Sequence, residues 1–405
     1  MNSRSATAGN AGPKIRSDCE ITLEIKPGGG ISFNLKSKVK TLYGASIKNL
    51  CRGILDFYGI KNATLSVDDS GALPFVISAR LEAAIRKITG SSKEYLPEML
   101  KGNLYSTESE RTRFSRLYLP GNNPGLMINA GLHMAHGIIL DLEDSVAPDR
   151  KDEARILVRN ALRQLDFRGA ERMVRINQGK TGTEDLKAVI PHNVNLVLIP
   201  KCETRDQVVH VESQIEEIRK KLKIRNKVHL MPIVESATGI EKAFDIAGAS
   251  ESVVAIAIGL EDFTADMGIQ RTAEGTESFF ARSRLVLAAK ASHVQPIDSV
   301  FSDVADLECL KQTVIKSKAL GFEGMGCIHP RQIRIINQYY APDQQEIEKA
   351  ARIVMAFEAA LKKGSGVVAL GTKMIDAPVV RRAQKTIDLA EKLQMLDDNW
   401  REVYK

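Results

Sequence analysis

The sequence predicts an α/β protein: a TIM (β/α)8 barrel with a C-terminal helical extension, preceded by a small α+β domain. Three observations lead there. From Arg113 onward, short apolar runs and helical stretches alternate eight times in about 220 residues, the repeat that builds such a barrel. Runs such as Met231-Pro-Ile-Val234 and Ala255-Ile-Ala-Ile258 are too short for helices, as expected of strands covered on both faces. Charged residues recur where these runs end, and this fold carries its catalytic groups at the C-terminal ends of its strands. A doubly wound sheet is the competing architecture, but no Gly-rich phosphate loop follows the first strand.

The elements follow in order. Residues 1–17 are mostly small and polar and are expected to form a flexible arm. Residues 18–90 form the small domain. Ile21–Ile25 and Ile31–Leu35 alternate with period two around Gly28-Gly-Gly30, a hairpin signal. Lys38–Tyr58 has helical spacing and stops at Gly59; Asn62–Val67 is a further strand. Val76–Ile88 is an amphipathic helix with Arg80, Arg86 and Lys87 expected outward. Residues 91–110 mix Gly, Ser, Pro and Lys and form a linker that would let the small domain move.

The barrel occupies 111–340. Its expected strands are Leu117–Pro120, Gly137–Asp144, Met173–Asn177, Leu196–Lys201, His229–Glu235, Val253–Asp262, Pro296–Phe301 and Gly324–Pro330. Helices are clearest at Asp149–Leu165, Arg205–Leu222, Glu241–Ala247, Phe279–Ala291 and Asp306–Leu320. Residues 341–405 add two further helices, Asp343–Lys363 and Val379–Leu396.

Composition excludes several classes. The 405 residues carry a formal charge of +7 from 57 basic and 50 acidic side chains, a mild bias toward anionic ligands. No aromatic-studded basic stripe suggests nucleic acid, and no apolar run approaches bilayer length. Five well-separated cysteines without CxxC spacing fit reduced thiols in the cytoplasm, and the first residues lack a secretory apolar core.

The strand ends gather Arg116, Asp141, Glu143, Asp144, Arg175, Lys201, Glu203, Glu235, Glu261, Asp262, Asp298 and His329 at one mouth. Buried acids there are poorly explained by packing. Glu235 and an acid of the Glu261-Asp262 pair suit one hard divalent cation such as Mg2+, with waters or substrate completing the octahedron. The bland alternative has Glu235 capping the next helix and Glu261 and Asp262 solvated. Asp141 is expected to pair with Arg116 or Arg175, and His329 to be a satisfied core histidine. Lys201 keeps Schiff-base chemistry open.

Two resemblances sharpen this. Asp68-Asp-Ser-Gly-Ala-Leu73 followed by Ser78-Ala-Arg-Leu-Glu-Ala83 resembles the acyl carrier protein (gamma subunit) of citrate lyase, over roughly residues 8 to 90. In that family a serine before the first strand carries a CoA-derived arm through a phosphodiester. Anchored on Asp18, that serine falls at Arg16; a one-residue slip places it at Ser17. Further on, Ser115-Arg-Leu-Tyr-Leu-Pro-Gly121, Leu140-Asp-Leu-Glu-Asp-Ser145, Val174-Arg-Ile-Asn177, Ile199-Pro-Lys201, Val234-Glu-Ser-Ala-Thr-Gly239, Gly259-Leu-Glu-Asp-Phe263 and Cys327-Ile-His-Pro330 resemble the citrate lyase beta subunit. The likeness runs from about residue 110 to 395 and extends to a superfamily with malyl-CoA and citramalyl-CoA lyases.

These resemblances imply a lyase that cleaves a 3-hydroxy-acyl thioester, citryl on a phosphopantetheine-type arm at Ser17, to an oxo-acid and an acetyl thioester. They imply Glu235 and Asp262 as Mg2+ ligands and Arg175 as a substrate-contacting cation. Arg116 and Lys201 are further candidates for substrate binding, and Glu143 and Asp144 for proton transfer. Met374-Ile-Asp-Ala-Pro378 matches a motif whose aspartate reaches a neighbouring subunit, so Asp376 is a candidate acid or base in a homo-oligomer. An acyl-transferase partner subunit is also implied. The alternatives are a lyase acting on free acyl-CoA, with Ser17 bare, and a non-catalytic carrier or assembly subunit.

Overall fold

The computed structural model describes residues 5–362, 364, 366–370, 373–397 and 399–404. The N-terminal domain consists of β1 (Ser5–Gly9), β2 (Cys19–Ile25), β3 (Ile31–Ser37), α1 (Lys40–Phe57), β4 (Ala63–Asp69) and α2 (Pro74–Thr89). Its sheet order is β1-β2-β4-β3, which corrects the expected hairpin. β4 lies between β2 and β3, with Leu65 opposite Leu23 on one side and Phe33 on the other. Alternation identifies a strand and its buried face but not its neighbour. Ala63, Leu65 and Val67 alternate on the buried face of β4, and the central place satisfies both of its backbone edges.

The expected flexible arm is also corrected. Ser5–Gly9 pairs antiparallel with β2, Gly9 facing Glu20. An edge strand needs only backbone groups to pair, so a run of small residues serves. Nor does Arg80 point outward. It is fully buried and forks onto Asp18 through two 2.9 Å hydrogen bonds.

The barrel follows as β5 (Ser115–Pro120), α3 (Pro124–Met127), β6 (Gly137–Asp141), α4 (Lys151–Gln164), β7 (Glu171–Arg175), α5 (Gly179–Val189), β8 (Leu196–Ile199), α6 (Arg205–Leu222), β9 (His229–Val234), α7 (Ala237–Glu241), α8 (Ala243–Ala247), β10 (Ala255–Ile258), α9 (Leu260–Met267), α10 (Phe279–Ala291), β11 (Gln295–Ile297), α11 (Leu307–Leu320) and β12 (Met325–Cys327). Strands pair in parallel in the order β11-β10-β9-β8-β7-β6-β5-β12. A parallel bridge between Asp298 and Met325 joins the two ends and closes the cylinder. One buried cluster holds Ile139, Met173, Leu198, Met231, Ile233, Ala257 and Ile297, with Tyr118 packed against it. These residues alternate along their strands, so they share the inward face.

The N-terminal domain is seated on this barrel. Arg159 of α4 donates through both terminal nitrogens to Glu82 of α2, each at 2.8 Å, and also reaches Glu94 at 3.1 Å. Asn160 donates to the Phe75 carbonyl at 3.1 Å, and the Gly9 N–H to Glu153 at 3.2 Å. Residues 91–110 are therefore not a free tether. The Leu100 N–H bonds the Arg163 carbonyl, Asn103 donates to the Leu162 and Leu165 carbonyls, and Thr107 donates to Glu171. Gly, Ser and Pro mark this segment as irregular, but side chains supply the bonds that regular structure would have made.

The chain forms two compact units: residues through Val304 with Leu320–Ile333, and Ala305–Ala319 with Arg334 onward. The remaining elements are α12 (Pro330–Tyr340), α13 (Gln344–Lys362), β13 (Val368–Leu370), β14 (Lys373–Ile375), α14 (Ala377–Lys392) and α15 (Trp400–Val403). In the second unit Ile347, Val354, Ile375 and Ile387 pack with Trp400, whose Nε1 donates to Glu391 at 2.7 Å. A 2.6 Å bond joins the Ser317 and Tyr340 hydroxyls, so this unit draws in α11 residues ahead of the boundary expected at 340.

Candidate active site

The inward alternation that builds the core also builds the site. Two residues beyond Ile139, Met173 and Ile233 come Asp141, Arg175 and Glu235, on the same face and one layer higher. They line a cavity of about 820 Å3 at the C-terminal ends of the strands, floored by Tyr118, Ile233 and Ala257. Arg116, Asp144 and Asp262 line it too.

Asp141 takes Arg175 rather than Arg116. Arg175 Nε and Nη2 donate to its two carboxylate oxygens at 2.7 and 2.8 Å, a bidentate fork. Burial pushes the Asp141 carboxyl up, but this fork and the hydrogen bonds from Ser145 and the Glu143 N–H hold it below the usual carboxylate range. The remaining Arg175 nitrogen, Nη1, lies 3.0 Å from Glu143 and 3.7 Å from Asp144. Its guanidinium sits 5.5 Å above the Tyr118 ring. Burial would lower its pKa, but Asp141 and Glu143 raise it, so the charge is secure. Arg116 is buried, with Nη1 3.8 Å from the Met231 sulfur.

Lys201 reaches the same acids, its ammonium 2.6 Å from Glu143 and 3.0 Å from Asp144. Partial burial would lower its pKa, but these carboxylates raise it well above the ordinary lysine value. A Schiff-base lysine needs the neutral amine, so the geometry counts against that chemistry. Glu143 and Asp144 are driven apart. Burial and the adjacent Asp144 raise Glu143; burial acts the same way on Asp144, but hydrogen bonds from Glu143 and Lys201 hold it down.

Glu235 is 7% exposed, and one oxygen accepts the Lys201 N–H at 2.9 Å. Burial, with the charge of Asp262 adding to it, pushes its carboxyl up to about 7. It does not cap the next helix. Ser236 does, its hydroxyl accepting the Gly239 N–H at 3.1 Å and donating to Glu203 at 2.6 Å. Glu261 and Asp262 stand in the first turn of α9 rather than at the end of an extended strand: β10 stops at Ile258. Glu261 pairs with Arg271, while Asp262 is exposed toward the cavity. Among the described residues no three His, Cys, Asp or Glu side chains converge on one point. The donor set at the mouth is two carboxylates, one of them buried so that burial and the charge of Asp262 disfavour its ionised form. That set fits a hard divalent cation whose other ligands are waters and substrate.

Gly259 was missed by sequence reasoning. A Cβ there would lie 2.4 Å from Glu235 Oε1, so only glycine leaves room for that carboxylate. Its signal was available: a glycine closing an apolar run marks a close approach. Arg282 was missed as well, forking onto the buried Asp298. His329 lines the cavity, with Nδ1 accepting the Arg331 N–H at 3.1 Å. Asp376 belongs to the second unit, where its carboxylate caps α14 by accepting the Val379 N–H at 3.2 Å. Ser17 sits in the N-terminal domain with φ of 58° and its N–H bonded to the Ser70 carbonyl at 3.0 Å.

Residues 115–330 match the family model for HpcH/HpaI aldolase/citrate lyase. The chain belongs to this family. As a member of the HpcH/HpaI aldolase/citrate lyase family it is a carbon–carbon lyase on a TIM-like barrel. Residues 4–88 match a second model, the malonate decarboxylase delta subunit, so a carrier-like domain precedes the lyase. The chain is 37% identical to the citrate lyase subunit beta of Leuconostoc mesenteroides, over 71% of this chain and 97% of that subunit. It is 29% identical to the human mitochondrial citramalyl-CoA lyase, over 72% of this chain and 90% of that enzyme. It superposes on the CitE protein of Mycobacterium tuberculosis, solved with magnesium, acetoacetate and coenzyme A, with TM-score 0.58 and 30% identity over 69% of this chain and 98% of that one. No helix of the described residues is long and apolar enough to cross a membrane.

Proposed function

We propose that this chain cleaves a citryl thioester, held on an arm at Ser17, to oxaloacetate and an acetyl thioester. The observation that carries this is a buried glutamate and an exposed aspartate lining one cavity with a clamped arginine. Glu235 and Asp262 would hold Mg2+, which when bound supplies a Lewis acid for the substrate hydroxyl and its neighbouring carboxylate.

The chain's own residues do the rest. The bond between the second and third carbons of the acyl chain breaks, and its electron pair passes into the thioester as an enolate. The hydroxyl loses its proton and its carbon becomes the ketone of oxaloacetate. Proton return to the enolate carbon gives the acetyl thioester, and no water is consumed. Arg175, fixed by Asp141 above Tyr118, places positive charge in the cavity where the enolate oxygen develops. Arg116 and Lys201 add positive charge around a substrate rich in carboxylates. Proton traffic falls to the Glu143-Asp144 pair, whose environments push the two acids apart, the arrangement that separates acid from base. Asp376 is a further candidate if copies of the chain assemble so that it serves a neighbour's cavity. An acyl-transferase partner would recharge the arm.

The CoA-bound relative and the citramalyl-CoA lyase favour a second reading, in which the same cavity takes free acyl-CoA. Oxaloacetate release, followed with arm-borne and with free thioesters, with and without chelator, tests both. Oxaloacetate formed only from the arm-borne substrate, and lost on chelation, is expected. Equal turnover of free citryl-CoA by protein with a bare Ser17 favours the second reading. Full activity after chelation, or in Glu235→Gln, overturns the metal site.

A further inference from the structure

The loop before β2 and the rim of the lyase cavity touch. A Cβ on Gly125 would sit 2.8 Å from the Arg16 carbonyl oxygen, and Gly125 and Leu126 are both cavity-lining residues. Ser17 is the next residue after Arg16, and consecutive Cα atoms are about 3.8 Å apart. The candidate attachment serine is therefore one residue from a backbone that lies against the mouth of the site.

The contact is pinned rather than incidental. Asp18 accepts from Asn10 at 3.0 Å and from both arms of the Arg80 fork, and Arg80 Nη2 also donates to the Asn122 carbonyl at 2.9 Å. Asn122 belongs to the loop joining β5 to α3, whose next residues form the cavity rim. Arg80 and Asp18 are 0% and 2% exposed, so the link between the serine loop and the rim is buried. Behind it, the Glu82–Arg159 pair holds α2 on α4. Leu126 is half exposed at the lip and offers apolar surface to an alkyl arm crossing it.

We infer that the carrier-like domain delivers its thioester in cis, across the Gly125-Leu126 lip, from a fixed seat, so that the arm moves and the domain does not. This rests on the reading of Ser17 as the attachment point. A tether anchored at the rim keeps the acyl group at high local concentration in its own cavity, where a mobile domain would share it among neighbouring copies.

Mixing two variants tests it. Ser17→Ala keeps the cavity and lacks the arm; Glu235→Gln keeps the arm and lacks the metal ligand. Both are produced in the cells the protein comes from, checked by intact mass, then combined and dissociated and reassociated if oligomeric. Cis delivery predicts a large adduct on wild type and Glu235→Gln, none on Ser17→Ala, and a mixture no more active than its parts. Recovery of about a quarter or more of wild-type activity overturns cis delivery and leaves the carrier reading standing. A wild-type chain without an adduct on residues 10–18 overturns both.

Discussion

Glu235 carries the most consequential chemistry per atom. Its carboxyl rises from an ordinary 4.5 to about 7, first through burial and then through Asp262. A folded-state value above the unfolded one stabilises the metal-free chain fully below pH 4.5, and that stability is lost as pH climbs through 7. The span is worth about 3 kcal/mol at most. Metal-free protein should therefore have a lower denaturant midpoint at pH 8 than at pH 5, and Glu235→Gln should flatten that slope. Metal and proton compete for the same oxygen, so the half-saturating Mg2+ concentration should rise about fivefold from pH 7 to pH 6 and barely change between pH 8 and pH 9. Arg175→Lys should cost about a hundredfold or more in kcat, because a lysine cannot keep both bonds to Asp141 while facing the substrate. The acids at the strand ends were legible because an apolar run ending in carboxylates is hard to explain by packing. The Asp141–Arg175 pairing was not: Arg116 and Arg175 fit the linear pattern equally, and only the closed cylinder decides which guanidinium faces Asp141.

At the level of elements, period and apolar content located the barrel strands to within a few residues at their starts. The strand expected to run to Asp262 stops at Ile258, because its last acids open the helix Leu260–Met267, and acidic residues are as much at home in a first helical turn as beyond a strand. Gly259 sits at that junction and yields a sharp expectation. In Gly259→Ala the new methyl meets Glu235, so Mg2+ affinity should fall at least about tenfold in calorimetry while far-ultraviolet circular dichroism stays unchanged. The contact of α2 with α4 makes another. Removing one partner of the buried Glu82–Arg159 pair should cost about 3–5 kcal/mol, whereas removing both in Glu82→Met with Arg159→Met should recover much of it. Thermal unfolding of the singles and the double would read this; a loss in the double equal to the sum of the two singles would mean the pair is uncoupled. Arg80 sits on a helix whose basic residues are expected outward, and nothing in a helical period shows that a second domain covers that face.

For the whole molecule, the carrier-like and lyase parts behave as one body in the first compact unit. Cutting the chain within residues 91–110 should leave the two pieces associated on gel filtration, since their contact rests on Arg159, Asn160, Glu153 and Arg80 rather than on the peptide link. Separation of the pieces at micromolar concentration would refute this. The sequence by itself determined the eight-fold alternation, the small mixed domain ahead of it and the acids at the mouth, because periodicity and charge placement are local properties. Only the tertiary structure decided that β4 separates β2 from β3, that Asp141 takes Arg175, and that the loop before Ser17 lies on the rim of the lyase cavity. Those are pairings between residues far apart in the chain, chosen by which buried backbone edge or charge each can satisfy once the barrel has closed.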